Sequence, residues 1–433
     1  MKDVELGALA FLQLAVILAC CRIFGWLGRK YLGQTQVVME MVVGVMLGPS
    51  LFGKFLPQWQ TWLFPLKMTV GGVVTDHPSI KVIYVVSQLG LVLLMFLVGV
   101  EFDAILMKSR AKGATLVSIS GIAFPFVLGA LCALWLHGDK TFFPSNVALV
   151  PAMLYMGAAM CITAFPMLAR IIQEKGISGT AMGTLTLAAG AMNDVFAWVL
   201  LAIVLSVTSG NSTTMVMAIG GGVVYAVTML IGGKHLFRWV NSRVEREGKL
   251  SPEFMTLTLG VVMIGSWFTD AVGIYAVFGA FICGMAVPKG LLADELHAKI
   301  LPLANTFLLP LFFVFSGLKT RIDLLNSPYL WLVGAVVMAA AVIGKGVGCM
   351  LAAKISGENW RDSTMIGVLM NARGLMELIL VNIALQAHVI TQELFSVLVI
   401  MACVTTLMAS PLFEKLYRST QKSMSGAEAT VGV

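Results

Sequence analysis

The 433-residue chain is 58% hydrophobic and only 12% charged, with a mean hydropathy of +0.91. That balance excludes a soluble globular protein of this length. The net charge of +7 would suit an acidic partner such as nucleic acid, but the basic residues lie between apolar spans and alternate with nearly neutral connections, as membrane topology demands.

About thirteen spans of membrane length are predicted. They lie at 5–28, 36–50, 82–100, 114–137, 146–171, 181–207, 214–233, 253–269, 273–288, 298–318, 329–353, 363–386 and 393–414. The first, Leu6 to Leu27, is too long for a signal h-region and has no small-residue cleavage site, so it is expected to remain as a span. Residues Phe52 to Lys81 are polar and broken by Pro57, Pro65, Gly71, Gly72 and Pro78. An external loop is expected there, with a short interfacial helix carrying Trp59 and Trp62.

Counting alternately from an outside N-terminus puts Arg29-Lys30, Lys108 to Lys112, Arg170 to Lys175 and Lys234 to Lys249 inside, together with Lys415, Arg418 and Lys422 of the tail. The expected orientation is therefore N-out and C-in in a bacterial inner membrane, although Lys54, Lys67, Lys81, Lys319 and Arg321 run against the rule. Asn211-Ser212-Thr213 matches a glycosylation sequon in a loop too short to give it weight.

Leu94 to Val100, followed by Glu101 and Asp103, is echoed by Leu311 to Leu318, followed by Lys319, Arg321 and Asp323. The echo predicts two inverted halves joined by a linker span, an arrangement whose substrate site lies at the midplane beside broken helices. Two spans are broken in matching places of those halves. The fifth holds Thr163-Ala164-Phe165-Pro166, and the twelfth holds Asn371-Ala372-Arg373-Gly374, then Glu377 and Asn382. Proline alone is compatible with an ordinary kink. A matched pair predicts two discontinuous helices crossing in a protein-lined or watery cavity, their opposed ends balanced by carboxylates and amides.

Asn193-Asp194 follows in the sixth span, where Asp194 is the lone charge from Ala181 to Val207. A carboxylate at the centre of a membrane helix costs about 2.5–3.5 kcal/mol on insertion scales, which points to a group that binds and releases an ion. A hard cation prefers oxygen ligands, and Thr163, Asn193 and carbonyls near the break are the candidates beside Asp194. Lys345, in Gly344-Lys345-Gly346-Val347-Gly348, is no phosphate loop, because the Ser/Thr after the lysine is missing. It is expected either as a counter-charge or second proton carrier, or as a lysine that snorkels to the interface. Arg373 and Glu377 share a face if helical and would pair, neutralising the second break. The seven cysteines lie in or beside apolar spans without metal-site spacing. The methionines, phenylalanines and histidines carry no catalytic pattern, so neither an enzyme nor a cofactor site is expected.

Thr163 to Arg170, Asn193-Asp194, Pro310 to Lys319 and Met370 to Leu378 resemble the monovalent cation:proton antiporters, in the branch of bacterial Na+/H+ and K+/H+ antiporters and plant cation/H+ exchangers. The resemblance covers roughly residues 5–415. It implies a homodimer whose subunits each join a dimerisation domain to a core with two crossed broken helices, moving as an elevator. Asp194 matches the family's ion- and proton-binding aspartate, and Lys345 matches a lysine carried by many members. Asn193 departs from the paired aspartates of electrogenic members, which implies one cation exchanged per proton. Relatives gated by glutathione carry a nucleotide-binding domain, which this chain is expected to lack.

The expected architecture is an all-α polytopic membrane protein. Residues 1–112 would be mainly scaffold and dimerisation helices, and 113–207 the first half of the core. Residues 208–328 would hold the linker and second scaffold helices, 329–415 the second half of the core, and 416–433 a cytoplasmic tail. The expected function is exchange of Na+ or K+ for H+, with membrane lipid around it. A channel-like potassium efflux system or a Na+-coupled organic anion symporter stand as alternatives.

Overall fold

In the computed structural model the described residues are all but 1–2, 33, 35, 71–72, 102–103, 210–211, 319–326, 375–376, 378–379, 382–383, 386 and 432–433. For residue 3 and for 70, 73–74, 104–110, 166, 195, 198–199, 201–203, 205–209, 212–215, 219, 316 and 418–431 the backbone alone is described. Asp103, Asn211, Lys319, Arg321, Asp323 and Asn382 lie outside the described residues.

The chain begins with α1 (Asp3–Leu27), a π-turn (Gly28–Leu32) and α2 (Gln36–Leu47), then the short α3 (Phe52–Phe55) and α4 (Pro57–Leu63). Strands β1 (Lys67–Val70) and β2 (Val73–Asp76) precede α5 (Pro78–Glu101), α6 (Ala104–Leu136), α7 (Leu149–Cys161), α8 (Phe165–Glu174) and α9 (Ala181–Ser209). Next come α10 (Ser212–Thr228), a π-turn (Met229–Gly233), α11 (Lys234–Glu247), α12 (Pro252–Ala271), α13 (Ala276–Met285) and α14 (Leu291–Leu303). A third π-turn (Ala304–Leu308) leads into α15 (Leu309–Leu318), followed by α16 (Pro328–Ile355), α17 (Trp360–Met370) and α18 (Gln392–Val431). Among the described residues, nine helical stretches are long and apolar enough to cross a membrane, and Leu149–Cys161 and Ala276–Met285 are shorter apolar helices. The result is the all-α polytopic membrane fold that the composition demands.

Two expected loops are ordered instead. Within 52–81, α4 is the expected short helix with Trp59 and Trp62, whereas Lys67 to Val70, expected as loop, pairs antiparallel with Val73 to Asp76. The strands are separated in sequence by Gly71-Gly72, a hairpin composition that the proline and glycine breaks masked in the sequence. The basic segment Lys234 to Lys249 is helical up to Glu247. Phe237, Val240 and Val244 recur at helical spacing and are buried, which orders the segment. Gly248, at φ +69°, ends it with a left-handed cap.

The helices form two compact units. One comprises Met1–Arg22, Glu40–Ala104 and Trp198–Thr320; the other comprises Ile23–Met39, Ile105–Ala197 and Arg321–Val433. The first is built on close backbone contact between α5 and α13. A Cβ on Gly284 would fall 2.1 Å from the Phe96 carbonyl oxygen, and one on Gly99 would fall 2.2 Å from the Phe281 carbonyl oxygen. Only glycine allows two helices to approach so closely. In the second unit α16 and α17 meet through Gly346 and Gly367 in the same way, with a Gly367 Cβ placed 2.4 Å from the Gly346 carbonyl oxygen. This unit contains every described residue of the site considered next.

Candidate functional site

Helix α7 stops at Cys161, and Ile162 turns to an extended conformation at φ −67°, ψ 134°. Helix α8 restarts at Phe165 with Pro166 in its first turn. There the missing proline N–H costs nothing, whereas a continuous helix would drive the ring against the carbonyl four residues back. Helix α17 stops at Met370 in the same fashion. Asn371 forms a turn, residues 372–374 are non-helical, and Glu377, Leu380, Val381, Ala384 and Leu385 are helical again. The two interruptions touch. The Ala164 N–H donates to the Ala372 carbonyl at 3.2 Å, so each supplies a backbone partner that its own helix lacks. A Cβ on Gly374 would sit 3.0 Å from the Ala164 Cβ.

The α7 carbonyls left bare by the break are capped by cations. The Arg373 guanidinium donates to the carbonyls of Ala159 at 3.1 Å and Met160 at 2.6 Å. Lys345 Nζ donates to the carbonyl of Cys161. Two positive groups therefore meet the negative end of the helix dipole. Arg373 also pairs with Glu377 at 3.4 Å, and the side chains of Lys345, Arg373 and Glu377 are all fully buried. Thr406 on α18 holds the Arg373 backbone, accepting from its N–H at 2.9 Å and lying 2.9 Å from its carbonyl oxygen. Arg373, paired with Glu377, thus serves the first break, a connection the spacing of four did not indicate.

The opposite dipole end receives an anion. Asp194 on α9 is 8% exposed, and its carboxylate accepts from the backbone N–H of Phe165, the first residue of α8. Its Oδ1 has no hydrogen-bond partner among the described residues. Asn193 donates through Nδ2 to Thr163 Oγ1 at 2.9 Å, and its Oδ1 accepts from the Ser118 hydroxyl at 2.7 Å. The crossing therefore gathers Thr163, Asn193 and Asp194 on one side and Lys345, Arg373 and Glu377 around the α7 end. Asn371 turns back on its own helix, donating to the Gly367 carbonyl at 2.9 Å. No ion pair joins Asp194 to Lys345 among the described residues.

One further residue, Ser118, belongs to this site, and Glu40 of the first unit shows the same kind of sequence signal as Asp194. Ser118 is fully buried on α6; a lone serine in an apolar helix carries no signal, because its hydroxyl ordinarily bonds to its own backbone. Glu40 on α2 is 1% exposed, and it carries the signal that marks Asp194, a single carboxylate in an apolar span.

Crossed broken helices in an apolar bundle, with a buried carboxylate at the α8 end of the first break and two cations capping its α7 end, are an arrangement found in secondary transporters. The chain belongs to the sodium/hydrogen exchanger family, whose transmembrane family model matches residues 12–415. It is 38% identical over 417 residues to the Na+/H+ antiporter NhaS4 of Synechocystis, covering 96% of this chain and 98% of that protein. It is 33% identical to cation/H+ antiporter 18 of Arabidopsis thaliana and 30% identical to K+/H+ antiporter 1 of Saccharomyces cerevisiae. Those alignments cover 97% and 94% of this chain but only 50% and 46% of the relatives, so the chain spans about half their length. The sodium proton antiporter MjNhaP1 of Methanocaldococcus jannaschii shares the fold, with a TM-score of 0.65 at 15% identity over 94% of this chain and 96% of that one.

Proposed function

We propose that the protein exchanges a monovalent cation, Na+ or K+, for a proton, with Asp194 binding either one in turn. The observation that carries this reading is the Asp194 Oδ1 beside the crossing, without a hydrogen-bond partner among the described residues, a buried acceptor left for a cation or a proton. The oxygen of Thr163, which accepts one hydrogen bond from Asn193, keeps a second lone pair for the cation. Carbonyls of the non-helical stretch 162–164 complete an oxygen ligand set of the kind hard cations require.

Coupling follows from charge. With a cation bound or a proton bound, the Asp194 carboxyl is neutral as a unit, and the core can carry it through the apolar layer. Empty, it is a bare carboxylate, and moving it costs several kcal/mol. The loaded forms therefore cross and the empty form stays, which is exchange. We assign the motion to an elevator of residues 113–207 and 329–415 against a scaffold of 1–112 and 208–328, in a homodimer with its N-terminus outside. The ratio is one cation per proton, because Asn193 supplies no second carboxylate. Plant and yeast relatives named for cation/H+ and K+/H+ antiport support the ion class.

Proteoliposomes loaded with a pH-sensitive dye test the reading. Na+ or K+ pulses drive proton efflux in the unsubstituted protein, and Asp194→Asn abolishes it. Surviving flux in that variant refutes the assignment. Competition also fixes the sign of the pH dependence. Lowering the pH fills Asp194 with protons, so the apparent cation KM rises while the rate at saturating cation holds. A KM that is flat across pH speaks against a shared site.

A further inference from the structure

Helix α6 makes a socket for Asn193. Ser118 supplies a hydroxyl that donates to Asn193 Oδ1 at 2.7 Å, and one turn further on Gly121 supplies the space. A Cβ at Gly121 would fall 3.4 Å from Asn193 Nδ2 and 2.7 Å from Cys349 Sγ on α16. On its far side the amide donates to Thr163 Oγ1 at 2.9 Å. Exposures of 0% for Ser118, 1% for Asn193 and 0% for Thr163 mean that water competes with neither bond. Thr163 lies in the non-helical stretch, where no helical hydrogen bond holds it.

We infer that Ser118 is a positioning residue of the cation site, anchoring Asn193 and, through it, the Thr163 oxygen that faces the ion. Asn193 is then a strut between α6 and the break. One lone pair of its carbonyl oxygen is engaged by Ser118 and its NH2 by Thr163. Remove the serine hydroxyl and Asn193 Oδ1 becomes a buried acceptor without a donor, which is costly. The chain of bonds that fixes Thr163 is lost, and a ligand that had been pre-organised must be ordered by the cation itself.

The inference rests on Asp194 as the ion-binding group, and the experiment keeps the two apart. The full chain and its Ser118→Ala, Ser118→Thr and Asp194→Asn variants are reconstituted, and proton flux is recorded against graded NaCl and KCl. Ser118→Ala is expected to raise the cation KM about fivefold, as for the loss of one hydrogen bond worth about 1 kcal/mol, with the maximal rate within about twofold. Ser118→Thr, which keeps the hydroxyl, restores the KM. An unchanged KM in Ser118→Ala, a fall in maximal rate alone, or equal KM values for the Ala and Thr variants overturns the inference. Should Ser118→Ala fail to fold, Ser118→Cys replaces it as a near-isostere with a weak donor, and a KM equal to that of the unsubstituted protein is then the refuting result. If Asp194→Asn still exchanges ions, the ion-site reading itself falls. If Asp194→Asn is inactive and Ser118→Ala leaves the KM alone, only the role of Ser118 falls.

Discussion

Lys345 and Arg373 divide the last three α7 carbonyls between them, and they differ in what their removal leaves behind. Arg373→Met strips the carbonyls of Ala159 and Met160 and strands Glu377, whose side chain is fully buried. Breaking a buried pair from one side costs about 3–5 kcal/mol. Lys345→Met releases the Cys161 carbonyl alone, and methionine fills a similar volume, so about 1–3 kcal/mol is expected. In thermal unfolding of the purified protein, Arg373→Met should therefore lower Tm by clearly more than Lys345→Met. The double variant Arg373→Met, Glu377→Met should recover much of the loss, since no charge is then stranded. Equal losses for Arg373→Met and the double variant would show that the carbonyl caps, not the pairing, carry the stability.

At the scale of helices, glycine decides where backbones meet. The nearest neighbours of a Gly284 Cβ are the Phe96 carbonyl oxygen at 2.1 Å, Val100 N at 2.8 Å and Gly99 Cα at 2.9 Å. All three are backbone atoms, so no side chain can yield and α13 must move away from α5. Gly284→Ala is expected to destabilise by about 1–3 kcal/mol through overpacking. Gly334→Ala is the control, because nothing lies within 4 Å of its Cβ. It should leave Tm unchanged or raise it slightly, as helix propensity favours alanine. If both substitutions prove harmless, the close crossing does not hold this unit together.

The same scale shows which features the chain discloses. Both breaks were legible because Pro166 and the Asn371 to Gly374 run are local signals that act on their own backbone. Asp194 was legible because a carboxylate in an apolar span is costly wherever the span goes. The bond from Lys345 to Cys161, 184 residues apart, was not, because nothing local says which helix end a buried cation will meet. Ser118 was hidden for the same reason, and Glu40 was overlooked although its signal was present. The order in 67–70, 73–76 and 234–247 depended on short-range pattern, alternation in the strands and a 3, 4 spacing in the helix, that breakers and charge obscured.

For the molecule as a whole, the sharpest question is how many charges cross the membrane per cycle. With Asn193 engaged by Ser118 and Thr163, the proposed cycle uses Asp194 alone as its exchanging carboxylate. On that proposal, one cation out and one proton in leave the carboxylate neutral in both directions, and the cycle would move no net charge. If Lys345 also released and regained a proton each turn, two protons would return for each cation and one charge would cross. Moving one charge through 100 mV is worth about 2.3 kcal/mol. If half of that acted on the slow step, the rate would change about sevenfold. Proteoliposomes clamped at 0 and ±100 mV by gradients of the permeant anion thiocyanate, with K+ absent and Na+ as the test cation, separate the two cases. One-for-one exchange predicts Na+-driven proton flux equal at all three potentials. It also predicts a reversal point set by the Na+ and proton gradients alone, which a voltage-insensitive slow step cannot imitate. A reversal point that shifts with potential would give Lys345 a transport role and end the single-carrier reading. Its bond to the Cys161 carbonyl would then be one of two states of the lysine, not a permanent cap.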